Sequence, residues 1–154
     1  MPNKIALDVA LNQIIDAVVE RLGSASEDEE SPLHGVNIVR GDRSRPRPQT
    51  PALWVFAETA QPEHNPRALA ETWELPIVIT PIIKSDDPED GYRQATTLAA
   101  QARSAVIAGR DLDLRDFVQD VRSGRFEASA PWHRRETLYS AVAQVRVIFT
   151  ILEV

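Results

Sequence analysis

Few residues in this chain could do chemistry, and their spacing argues against a reaction centre. His34, His64 and His133 are scattered, with no metal-ligand spacing such as HxH or HExxH. Asp111, Asp113 and Asp116, in DLDLRD, stand close together and invite comparison with a divalent-cation loop. A calcium loop needs glycine at its sixth position and glutamate at its twelfth. Counted from Asp111 those positions hold Asp116 and Arg122, so a helix cap followed by a solvated face is expected instead. No serine sits in a GxSxG elbow and no glycine-rich phosphate loop occurs. The chain has no cysteine, which removes disulfides, thiolate zinc sites and a thiol nucleophile. The Asp86–Asp87 pair suits a helix cap better than an acid/base dyad. An enzyme built on Asp111–Asp116 with His133 is therefore the last choice, and neither cofactor nor metal is expected.

Charge segregation is the stronger signal. RGDRSRPRPQTP, residues 40–51, carries Arg40, Arg43, Arg45 and Arg47 with three prolines, in a chain of net charge -6. Clustered arginines repel one another unless an anion meets them. SASEDEESP, residues 24–32, carries Glu27, Asp28, Glu29 and Glu30. Arginine forks pair carboxylates bidentately, and proline lowers the entropy cost of ordering an arm. The two stretches thus read as complementary arms at a subunit boundary, against the plainer reading of two solvated loops. Contact with nucleic-acid phosphate is a third possibility, although the overall acidity opposes a broad basic face. The RGD at 40–42 spells an integrin-binding tripeptide, but three residues carry little weight and nothing marks the chain as extracellular.

At 154 residues the chain has the size of one domain, 1–154, able to bury roughly 70% of its unfolded surface. Charged residues interrupt the apolar opening segment, so neither a signal peptide nor a membrane span is expected. Leu7, Leu11, Ile14, Ile15, Val18 and Leu22 share one helical face, with Gly23 as the expected stop. The exposed loop 24–34 follows. GVNIVRG (35–41) and ALWVFAETA (52–60) read as strands, and the Arg/Pro stretch between them suggests a long hairpin with a projecting tip. QPEHNP (61–66) reads as a turn. ETWELPIVITPII (71–83) alternates, with Trp73, Leu75, Ile77 and Ile79 on one face; Pro76 favours an edge or a bulge. Asp87 followed by Pro88, Glu89 and Asp90 is the clearest helix start, and Gly109 a plausible stop. LRDFVQDVRSG (114–124) reads as a short helical patch. YSAVAQVRVIFTILEV reads as a long closing strand, with Val145, Val147, Phe149 and Ile151 on one face. The expected fold is α+β: a mainly antiparallel sheet of about four strands, helices on one face, in the order α-β-β-β-α-β.

That element order resembles the tail terminator proteins of long-tailed bacteriophages, with the related neck and tail-completion proteins close by. The resemblance runs through IALDVALNQIIDAVVERLG, VNIVRG to LWVFAE, WELPIVIT with the helix carrying TLAAQARSAV, and VAQVRVIFTILEV. It implies a virion structural protein, assembled in the host cytoplasm, forming a homohexameric ring at the head–tail interface. The ring would cap the tail tube, stop its polymerisation and join the head connector, with DNA passing through its channel without specific binding and no membrane involved. An acidic protein suits such a channel, since a lumen that grips phosphate would hinder ejection. The other readings are an adjacent head–tail joining protein, or a small stand-alone α/β module binding a ligand or peptide.

Overall fold

A computed structural model describes residues 4–41, 49–63, 70–133 and 137–152, the side chains of 129–133 excepted. Two helices, α1 (Leu7–Glu27) and α2 (Pro88–Ile107), pack on one face of a six-stranded mixed sheet. The strands are β1 (Asn37–Arg40), β2 (Ala52–Ala57), β3 (Gln61–Pro62), β4 (Glu71–Lys84), β5 (Val118–His133) and β6 (Leu138–Ile151). They lie in the order β1-β2-β4-β6-β5, with β3 also paired to β4. The class is α+β, as expected, but the order is α-β-β-β-β-α-β-β and the sheet is not wholly antiparallel.

The core follows from periodicity. In α1, Ala10, Ile14, Val18 and Leu22 recur every fourth residue and are fully buried. They meet Leu53 and Val55 of β2, Leu75, Ile77 and Ile79 of β4, and Val145, Val147, Phe149 and Ile151 of β6 in one cluster. Alternation in β4 and β6 thus located the core face correctly. The small residues Ala95, Ala99 and Ala102 let α2 lie close to the strands. Its start is also as expected: Asp87 Oδ1 accepts from Glu89 N at 3.2 Å, and Pro88 opens the helix. At Gly91 a Cβ would collide with the Tyr139 ring, so the helix needs glycine there.

Four expectations are corrected. First, α1 does not stop at Gly23 but continues to Glu27. Its last turn is tied down because the Ser26 carbonyl accepts from Gly35 N and contacts His34 Nδ1, while Ser26 Oγ bonds the Val36 carbonyl. The expected loop 24–34 is therefore helix followed by turns, with Leu33 buried beneath them. Second, β1 and β2 are parallel, in register Asn37↔Ala52 to Arg40↔Val55, so they form no hairpin. A parallel pair cannot be joined by a tight hairpin turn.

Third, the helical patch expected at 114–124 is a single turn followed by strand. Phe117 N and Val118 N both bond the Leu114 carbonyl, and β5 begins at Val118. A bulge between Val118 and Asp120 inserts one residue, so Val118 and Val121 both reach the core at a spacing of three. A bulge therefore imitates helical spacing in the sequence. Fourth, Pro76 lies in an interior strand, because β4 pairs with β2 and β6. The Pro76 carbonyl accepts from Glu58 N, but proline returns no N–H, and β2 ends one residue earlier, at Ala57. On the other side, β4–β6 pairing lapses between Ile79↔Ala143 and Ile83↔Tyr139, around Pro81.

Candidate subunit interface

Of the eight residues singled out for charge, Arg43, Arg45 and Arg47 lie outside the described residues. Arg40 closes β1 and turns back onto α1: Nη1 donates to Asp16 Oδ1 at 2.5 Å and Nη2 to Asn12 Oδ1 at 3.0 Å. Both partners sit one turn apart on the polar side of α1, so the first arginine of the stretch already meets a carboxylate there. Glu27 ends α1, Asp28 caps it, and Glu29 and Glu30 occupy the turn beyond, all four exposed. Asp28 Oδ1 accepts from Glu30 N at 3.0 Å, which closes that turn. The structure does not join Arg40 to the 27–30 cluster; Arg40 pairs with Asp16 instead.

Asp16 also lines a groove of about 780 Å3 between α1 and the end of α2. Its apolar lining comes from Ala17 and Ala25 of α1, Ala105 of α2, and Leu112 and Leu114 of the turns after α2. Four carboxylates stand around it: Asp16, Glu20 and Asp28 on one side and Asp113 on the other. Asp16 and Glu20 are four residues apart and so share one helical face, about 6 Å apart along the axis. Among the described residues, Glu20, Asp28 and Asp113 have no cation within ion-pair distance, whereas Asp16 holds Arg40.

Arg21 fixes the two helices at this groove. Its Nε donates to the Ala105 carbonyl at 2.8 Å, one of the last four carbonyls of α2, which the helix itself cannot satisfy. A cation there also faces the negative end of the helix dipole. Gly109 makes this possible, because a Cβ at that position would strike the Arg21 guanidinium. Beyond it, Leu112 and Asp113 adopt φ of 54° and 59°, a left-handed backbone that aliphatic residues rarely enter. Asp111 holds this turn, Oδ1 accepting from Asp113 N at 3.0 Å and Oδ2 from Arg115 Nε at 3.1 Å. Asp111 is thus a turn-former, and no helix follows it.

The sheet face away from the helices carries a polar lattice. Arg146 pairs with Glu74 at 3.2 Å, Gln144 donates to Glu58 at 2.7 Å, and Thr72 and Thr150 share a hydrogen bond at 2.9 Å. Farther along that face Trp54, Ile82 and Leu138 form a second, smaller buried cluster. His34 is exposed and bonded to backbone, His64 lies outside the described residues, and nothing is described of the His133 side chain. Among the described residues, no group of three or more His, Asp or Glu side chains is placed to hold a metal ion. No helix among them is long and apolar enough to cross a membrane.

Sequence reasoning missed Asp16, Glu20 and Arg21, and considered Asp113 only as part of the Asp111–Asp116 cluster. The i, i+4 carboxylate pair on the polar side of α1 was a visible signal, but only the packing of α2 against α1 brings Asp113 opposite it. The groove's lining combines small apolar residues with four carboxylates and Arg21. No protein family matches this chain, and no curated protein is similar to it.

Proposed function

We propose that this protein is a structural ring subunit of a long-tailed phage, a tail terminator that caps the tail tube and joins it to the head connector. The observation that carries the reading is the distribution of charge. A groove lined by four carboxylates and an arginine-proline stretch occur on one acidic chain, and rings are built from heterologous contacts between unlike patches. The α+β class, with two helices on one face of the sheet, is compatible with this reading, although the observed element order departs from the one on which the resemblance rests. The homohexamer, the tube-capping role and the passage of DNA through the channel are all parts of this proposal, as is a non-enzymatic role.

Negative-stain microscopy of the protein alone and with purified tail tubes tests it. Rings of six subunits seated on tube ends, with tube growth arrested, are expected. A second reading, a stand-alone module for a ligand or peptide, draws on the same groove. It requires a monomer whose unfolding temperature rises with ligand concentration, and that outcome without any tube capping would replace the first reading.

A further inference from the structure

We infer that the free edge of β5 around Phe126 is a two-fold contact, where it pairs antiparallel with the same segment of a second copy of this chain. The inference does not rest on the ring reading: such a contact makes a dimer of a lone subunit and would join two rings back to back. β5 is an outermost strand, paired only to β6. Native sheets usually keep large apolar side chains off an open edge. Phe126 is nevertheless 39% exposed there, and Val9 is the other exposed large hydrophobic residue among those described.

The backbone presents this segment for pairing. Arg125 N–H turns toward β6 and donates to Gln144 Oε1 at 3.2 Å, so alternation turns the Phe126 N–H and carbonyl to the free edge. The bulge that sets this pattern needs Gly124, where a Cβ would collide with Gln144. From α2, Arg103 donates to Ser123 Oγ and Thr96 Oγ1 to the Ala128 carbonyl, which steadies the strand on both sides of Phe126. An edge already held in place loses less entropy when it pairs.

Self-complementarity names the partner. Arg125, Phe126 and Glu127 run as cation, aromatic ring, anion. In an antiparallel pair centred on Phe126, the two Phe126 residues face each other and Arg125 of each copy faces Glu127 of the other. Residues directly opposite share a face, with Cβ atoms about 4.5–5.5 Å apart. The observed faces agree. Phe126 lies opposite Ala143, on the helix-covered side, whereas Glu127 lies opposite Val142, on the open side where Arg125 reaches Glu58. Among the described residues, exposed Glu127 has no cation within ion-pair distance. Arg125 is half-exposed and meets Glu58 only at 3.7 Å, and its guanidinium keeps donors for a second carboxylate. A two-fold axis repeats the Arg125–Glu127 pair on both sides of the aromatic centre.

Charge swapping in the full-length protein tests the contact, with self-association read by sedimentation and folding by circular dichroism. Arg125→Glu and Glu127→Arg each set like charges opposite one another, and each should weaken association at least about tenfold. Both changes in one chain exchange the signs and should restore association to within about threefold. A mixture of the two single variants is the decisive sample. The carboxylates of one then meet the arginines of the other, so mixed dimers should form at least about tenfold more tightly than either variant pairs with itself. Phe126→Cys should give a disulfide-linked dimer in this cysteine-free chain, because hydrogen-bonded partners have Cα atoms about 5.5 Å apart, within disulfide range. Val9→Cys, comparably exposed, should not. Single variants that associate like the unaltered protein, a mixture no tighter than its parts, or an unaltered protein that stays monomeric would overturn the inference. Rings that cap tail tubes while all these variants associate alike would overturn it and leave the ring reading standing; dimers that follow the charge pattern without capping tubes would do the reverse.

Discussion

The two faces of the sheet are built from the same strands yet obey different rules. On the helix-covered face, Leu53, Val55, Ile77, Ile79, Val145, Val147 and Phe149 are at or near zero exposure. On the other, Glu74, Gln144, Arg146 and Thr150 remain partly open to solvent and are joined laterally by ion pairs and hydrogen bonds. The difference is one of energy scale. Burying an aliphatic or aromatic side chain contributes on the order of 1.5–3 kcal/mol, whereas an exposed ion pair contributes about 0–1. Stability is therefore concentrated under the helices.

The sharpest way to test that contrast is Phe149→Ala. Phe149 is fully buried, with its ring edge-to-face with Phe117 at 6.4 Å, and its loss should cost about 3–5 kcal/mol in urea unfolding. Gly91→Ala should cost less, about 1–3 kcal/mol from overpacking against Tyr139, partly offset by better helix propensity. Arg21→Met should cost about 1 kcal/mol, because the Ala105 carbonyl loses its donor and α2 its terminal cation. At the small end, Glu74→Gln should change stability by less than about 1 kcal/mol. A Glu74 effect as large as that of Phe149 would break the comparison and imply that something covers the open face.

Where local chemistry decides, the sequence was legible. The Asp87–Pro88 start of α2 needs only a cap and a fixed φ, and the β6 alternation needs only a buried face. Where a non-local partner decides, it misled. The spacing of Val118 and Val121 reads as helical until β6 is seen to force a bulge. The same limit hid the parallel pairing of β1 with β2, since two strands flanking a proline-rich stretch look alike in either direction. For the charged residues, the stretches were visible in the sequence but the pairing of Arg40 with Asp16 was not. The cluster at Glu27–Glu30 drew attention by density, while the placement of Asp16 and Glu20 around one groove with Asp113 depends on how α1 packs beside the end of α2. Gly23 illustrates a further confusion: a glycine after an apolar run signalled a stop, but the helix continued because Ser26 found backbone partners beyond it.

The most direct measurement of the central claim, that this protein acts by assembling with copies of itself, is its mass and outline in solution beside tail tubes. The account predicts closed six-membered rings that sit on tube ends and halt elongation. A particle that remains a single chain at every concentration, with tubes growing unchecked in its presence, would contradict it.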